Sequence, residues 1–151
     1  MIGNIVVALS SLVFAVPMMY ADSNDDLPTS LSILSVLFFS FVSHLFENHK
    51  RGSIGFPRFS KKASIILNWL DRLGVAIVSY RFINLYLEND ISITLDDITI
   101  VTATAILGLV SEMRVGSIWR HHIPIHSVWH ALVARNMMVF LNRVYDPILK
   151  I

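Results

Sequence analysis

Five apolar runs separated by four polar stretches set the pattern of the chain. The first, Met1 to Tyr20, holds no charged residue and one proline, Pro17. It reads as a membrane helix over about residues 2–20 rather than as a cleaved signal. Its leading residues carry no Lys or Arg, and a cut after Ala21 would put the large Met19 where a small residue is preferred. The second run, Leu31 to Phe46, predicts a helix over 30–47, just long enough to cross a bilayer, with Thr29 or Ser30 after Pro28 as its N-cap. The third, Ala63 to Leu87, is interrupted by Asp71, Arg72 and Arg81. It predicts a helix over 65–87, with Ser64 to Leu70 lying along the interface. The fourth, Ile98 to Val110, is short and rich in Ile, Thr and Val, a pattern that alone would suit a strand. A lone strand among apolar helices would leave backbone groups unpaired in lipid, so a helix over 97–111 is expected. The fifth, Ile125 to Tyr145, begins after Pro124, which suits a helix start. The expected fold is all-α: one domain over residues 1–151, a polytopic transmembrane bundle of about five helices, without internal repeats.

Charge sharpens this picture. The loops alternate in sign. Asp22, Asp25 and Asp26 follow the first run, and Lys50, Arg51, Arg58, Lys61 and Lys62 follow the second. An acidic stretch from Glu88 to Asp97 follows the third, and Arg114 and Arg120 precede the fifth. Positive loops collect on the cytoplasmic side, so the alternation agrees with the helix count and predicts a cytoplasmic N-terminus. Charged residues make up 15% of the chain and the mean hydropathy is +0.62, whereas soluble domains carry about 25% charge. A net charge of +1 gives no reason to expect nucleic-acid binding. With no cysteine, a transition-metal site must be built from His and carboxylate.

The candidate chemistry lies in three places. Ser40 and His44 are four residues apart near the end of the second helix. Asp71 is near the start of the third, and His126 and His130 are four apart at the start of the last. Residues spaced by four share a helix face. The end of helix two and the start of helix three lie on one side of the membrane, and helices three and four cross out and back. His44, Asp71, His126 and His130 therefore share a leaflet in either orientation. Ionisable groups at membrane depth are costly and usually functional. Three neutral imidazoles and a water form the open tetrahedral zinc site of catalytic centres. Asp71 can accept or orient the proton of that water, and Ser40 can steady a developing oxyanion.

Plainer readings stand beside these. A His-x₃-His pair is common by chance, and serine often packs membrane helices. His49, His121 and His122 read as solvated loop or interface residues. Arg81 reads as snorkelling or paired within the bundle. Phe38, Phe39, Phe41 and Phe46 read as lipid-facing or packing surface.

Ser-x₃-His on the second helix, Asp on the third and His-x₃-His on the last resemble the CREST superfamily of membrane hydrolases. That superfamily includes alkaline ceramidases and adiponectin-receptor-like proteins. Leu9-Ser-Ser-Leu-Val-Phe14 ahead of Pro17, Leu37-Phe-Phe39 before His44, Leu70-Asp71 and His126-Ser-Val-Trp-His130-Ala-Leu132 are most similar to the branch holding myomaker and the GPI-trimming phospholipase. Val128 stands where that branch has an aromatic residue, and its members have seven helices. Loss of a two-helix hairpin before the last helix preserves the side on which His-x₃-His begins. The resemblance implies zinc bound by His44, His126 and His130, with Asp71 and Ser40 assisting attack on a lipid amide or ester. A non-enzymatic multi-pass protein is the second expectation, its metal structural or absent, acting through lipid or partner contacts as in fusion or scaffolding. The third is a metal-free protein whose histidines pair with Asp71 or line a proton path.

Overall fold

The computed structural model describes residues 2–46, 61–89, 91–112 and 122–146. Among them the chain is helical, with no strand: α1 (Ile2–Ser10), a 3₁₀ turn (Ser11–Phe14), α2 (Ala15–Ser23), α3 (Leu27–Phe46), α4 (Lys61–Glu88), α5 (Leu95–Glu112) and α6 (His122–Tyr145). The Ile- and Thr-rich fourth segment is helix, as the need to pair its backbone requires. Of the basic stretch expected from Asn48 to Lys62, residues 48–60 lie outside the described residues and Lys61 and Lys62 open α4, while the loop around Arg114 and Arg120 lies outside them altogether.

α1, the 3₁₀ turn and α2 form one rod, because the joining residues Ser10 and Ala15 keep right-handed helical angles. Pro17 accounts for the interruption. It has no N–H to offer the Val13 carbonyl, and the turn ahead of it tightens, with the Ala15 N–H reaching the Leu12 carbonyl. The rod ends at Ser23, and Asp25 takes a left-handed φ of 58° to turn the chain. The N-cap of α3 is Asp26, not Thr29 or Ser30: its Oδ1 accepts the Thr29 N–H at 3.1 Å. Pro28, which has no N–H to lose, fits inside the first turn, so the helix begins earlier than the apolar run. α4 is likewise continuous from Lys61. Ser64 to Leu70, expected along an interface, are its opening turns.

Neighbouring rods follow one another in an arc. α4 packs on α3, α3 on α1 and α2, these on α6, and α6 on α5. The tightest approach is at Gly74 of α4, where a Cβ would come to 3.0 Å from the Val36 Cα and 3.2 Å from the Ser35 carbonyl oxygen. Small residues at such a crossing let two helix backbones meet.

The interior mixes an apolar core that includes Phe14, Ile33, Val36 and Leu141 with polar side chains. Ser11, Thr29, Ser32, Ser40, Ser43, His44, Ser111, His126 and His130 are buried, while Met19, Phe38, Trp69, Tyr80 and Leu109 lie well exposed. Every rod carries large apolar residues on its outer face. Two stretches among the described residues, Ile5–Ser23 and Leu27–Phe46, are long and apolar enough to cross a membrane.

One end of the bundle is clasped by ions. Arg81 donates from Nη2 to both Asp26 carboxylate oxygens at 3.1 Å and from Nε to the Thr29 hydroxyl at 2.8 Å. Tyr145 donates to the same carboxylate at 2.9 Å, and Arg143 reaches Asp97 at 2.7 Å. The α2–α3 turn, α4, α5 and α6 are thereby joined at a single end. Arg81 is thus the paired cation of the two expectations. Burial alone would raise the Asp26 pKa, but hydrogen bonds from Thr29, Tyr145 and Arg81 outweigh it and hold the carboxyl below its ordinary 3.8.

Two outcomes follow. Because the native Asp26 carboxyl is the stronger acid, the unfolded chain takes up its proton first as pH falls. Its contribution is therefore complete above about pH 4 and is lost as pH drops through the lowered native value. Thermal melts in detergent from pH 7 to 3 check this: Asp26→Asn starts less stable and shows a shallower acid decline than the unaltered protein. Gly74→Ala forces the α3 and α4 backbones apart and costs about 1–3 kcal/mol, read as a lower melting midpoint.

Candidate metal centre

The opposite end of the bundle holds the histidines. His44 lies in the last turn of α3, and His126 and His130 lie in the first turns of α6. Spacing of four puts Ser40 above His44 and His126 above His130, and the α3 and α6 stripes face one another. One potential ligand atom from each of the three imidazoles lies within 4.8 Å of the others, and all three residues are buried. The Nε2 atoms of His44 and His126 are 3.0 Å apart. Ring centroids are separated by 4.5 Å for His44 and His126, 4.7 Å for His126 and His130, and 5.4 Å for His44 and His130.

These distances suit a shared cation. Metal–nitrogen bonds of about 2.0–2.1 Å in a tetrahedron place the donor atoms about 3.3 Å apart. Two unprotonated Nε2 atoms at 3.0 Å would set lone pair against lone pair. Either a proton is shared across that gap or a cation fills it. A proton satisfies that pair and Ser40 Oγ stands 3.3 Å from His130 Nε2, whereas a cation would engage all three imidazoles at once. Imidazole donors accept several first-row metals, so the donor set alone does not name the ion.

Hydroxyls surround the cluster. Ser40 Oγ is 3.3 Å from His130 Nε2, and Ser11 Oγ donates to Ser40 Oγ at 3.3 Å. Ser10 Oγ is 2.7 Å from His130 Nδ1, and Ser111 Oγ is 3.0 Å from His126 Nδ1. Phe14 stands edge-on to His130 with centroids 5.5 Å apart, and Trp129 lies against both His126 and His130. Trp129 in turn rests on Gly108 of α5, where a Cβ would come within 2.6 Å of the indole nitrogen. The site thus has an aromatic floor and a hydroxyl rim.

Of the residues expected at the site, Ser40, His44, His126 and His130 lie together. Asp71 is half-buried on α4, in the stripe with Gly74 and Val78, and its carboxylate is not one of the clustered ligand atoms. Ser10, Ser11, Ser111, Phe14 and Trp129 were not anticipated as site residues. Ser111 could have been found by the leaflet argument, since the end of α5 lies beside the start of α6. Ser10, Ser11 and Phe14 were visible only as a motif near Pro17. His49 and His121 lie outside the described residues.

No protein-family model matches the chain, and no solved structure matches it. The chain is 32% identical over 150 residues to a protein of Acanthamoeba polyphaga mimivirus named "Uncharacterized protein L282", across 93% of this chain and 97% of that one. Identity at that level over nearly the full length of both sequences shows common descent and a shared fold. The chain belongs to the family of mimivirus protein L282.

Proposed function

We propose that this is a multi-pass integral membrane protein in which His44, His126 and His130 hold a zinc ion, and that it is a zinc-dependent hydrolase of a lipid amide or ester bond. The observation that carries the reading is the meeting of three buried imidazoles from two helices at one point. The membrane setting is supported by the polar groups buried inside together with the large apolar residues left outside. A soluble bundle does not bury serines and histidines while lining every rod's outside with Leu, Ile, Val, Phe and Trp. In lipid that arrangement is the expected one, because polar side chains turn toward the bundle interior.

The donor set fits zinc. Three neutral imidazoles without a carboxylate or thiolate leave a fourth position open, as in catalytic rather than structural zinc sites. When bound there, zinc supplies a Lewis acid and a hydroxide source near neutral pH. The chain's own groups do the rest. Ser40, beside His130 and oriented by Ser11, is placed to donate to an oxygen that gains charge during acyl transfer. Asp71 would take up the proton released by the attacking water, as the similarity to CREST hydrolases implies. Buried Phe14 and half-buried Trp129 restrict bulk water around the imidazoles. The exposed apolar faces would leave the substrate's acyl chain in continuous contact with lipid.

Two measurements test this. Protein purified in detergent is expected to carry about one zinc per chain by elemental analysis. His130→Ala and His44→Ala each lose it while keeping their helical circular dichroism. Metal-free wild-type protein that takes up no added zinc would remove the metal centre and the hydrolase with it. The zinc-loaded protein is then presented with a fluorogenic N-acyl lipid and a fluorogenic phospholipid in mixed micelles. Turnover of one of them is expected, reduced about 10²–10⁴-fold in Asp71→Asn and about 10²–10³-fold in Ser40→Ala. Full zinc occupancy with neither substrate cleaved would leave the metal as a pin between helices.

A further inference from the structure

Ser10 is half-buried in the first rod, more than a hundred residues from the histidine it touches. Its hydroxyl has one proton, and that proton is committed: Ser10 Oγ donates to the Val7 carbonyl of its own helix at 2.7 Å. What Ser10 turns toward His130 is therefore a lone pair. The 2.7 Å contact with Nδ1 is then favourable only when Nδ1 carries the hydrogen. In a neutral imidazole one nitrogen is a donor and the other an acceptor, so Nε2 is left with its lone pair facing Ser40 and the other imidazoles.

The same geometry recurs on the second ligand from α6. Ser111 Oγ donates to the Gly108 carbonyl at 2.7 Å and lies 3.0 Å from His126 Nδ1. Its proton is likewise spent on its own helix, and Nε2 of His126 faces His44. Two unrelated helices thus present hydroxyls of fixed polarity to the outer nitrogens of two neighbouring imidazoles.

We propose that Ser10 is a positioning residue of the site, holding His130 as the Nδ1–H tautomer so that Nε2 is the donor atom, with Ser111 acting likewise on His126. The outer hydrogen bond of a metal-bound histidine fixes both tautomer and ring orientation, and losing it typically costs 10–100-fold in metal affinity. Ser10 touches neither metal nor substrate in this role. The 3₁₀ turn beginning at Ser11 aids it, because the same rod then supplies Ser11 to Ser40 next to the Ser10 contact. The consequence for affinity rests on the metal-centre reading above, whereas the tautomer does not.

The test separates the two. Nitrogen-15 NMR of the histidine rings in metal-free wild-type protein, in detergent micelles, is expected to show His130 with hydrogen on Nδ1. Ser10→Ala shifts His130 to a mixture or to the Nε2–H form, and Ser10→Thr retains the wild-type pattern. Cobalt(II) titrations followed by visible absorption are expected to show Ser10→Ala binding about 10–100-fold more weakly at unchanged stoichiometry, with Ser10→Thr near wild type. His130 found mainly as Nε2–H in the wild type overturns the proposal. So does a Ser10→Ala protein with the wild-type tautomer and cobalt affinity. If the wild type takes up no cobalt, the metal centre falls, and the NMR signal still decides what Ser10 does.

Discussion

A polar group shut away from water has to find its partner inside the molecule, and this constraint shapes the whole bundle. Five helix hydroxyls meet it in the same way. Ser10, Ser32, Ser35, Thr104 and Ser111 each return their hydroxyl proton to a carbonyl three or four residues back in their own helix. That local bond satisfies the donor and leaves an acceptor pointing at the neighbouring helix. Thr104 uses its acceptor for Asn136 of α6, and Ser10 and Ser111 use theirs for imidazoles. Residues that look like routine helix packing in the sequence thereby become the polar lining of a site.

The two ends of the bundle solve the same constraint with different chemistry. At one end, Asp26, Arg81, Asp97 and Arg143 pair as ions near the helix termini. At the other, the groups are buried imidazoles ringed by hydroxyls, gathered without a carboxylate among the clustered ligand atoms. An ion clasp with one partner removed leaves an uncompensated charge, which is strongly destabilising where it is buried. The imidazole end has no comparable cost for its neutral form. It can be filled or emptied of a cation without the rods having to come apart, because the clasp at the far end holds them together.

Much of this was legible because reading the apolar runs as helices that cross and return converts sequence order into position. His44, His126 and His130 could be placed together from helix count alone, since segments that cross and return bring distant residues to one side. The helix at Ile98 to Val110 was legible for the reason that no lone strand can satisfy its backbone in lipid. Asp26 was not legible as an N-cap, because the apolar run seemed to begin at Leu31, and nothing in the hydrophobic pattern marks the turn of helix in front of Pro28. Arg81 was seen as a charge needing an explanation, but not which carboxylate would supply it. Ser10 and Ser111 were hardest. A serine in an apolar helix has the same local appearance whether it packs against a neighbour or orients an imidazole, and only the direction of its proton distinguishes them.

The histidine end also bears on how a bundle of five rods holds together. The first rod lies between α3 and α6 and packs on both, so these two helices meet chiefly through His44 and Ser40 on one side and His126 and His130 on the other. A cation there would join α3 to α6 directly. Metal binding to such a cluster is coupled to the stability of the assembled bundle. The coupling serves a catalytic site and a structural pin equally well, so stabilisation by metal cannot tell them apart. What can is the fourth coordination position: a structural site closes it with a protein ligand, and a catalytic site keeps it for water.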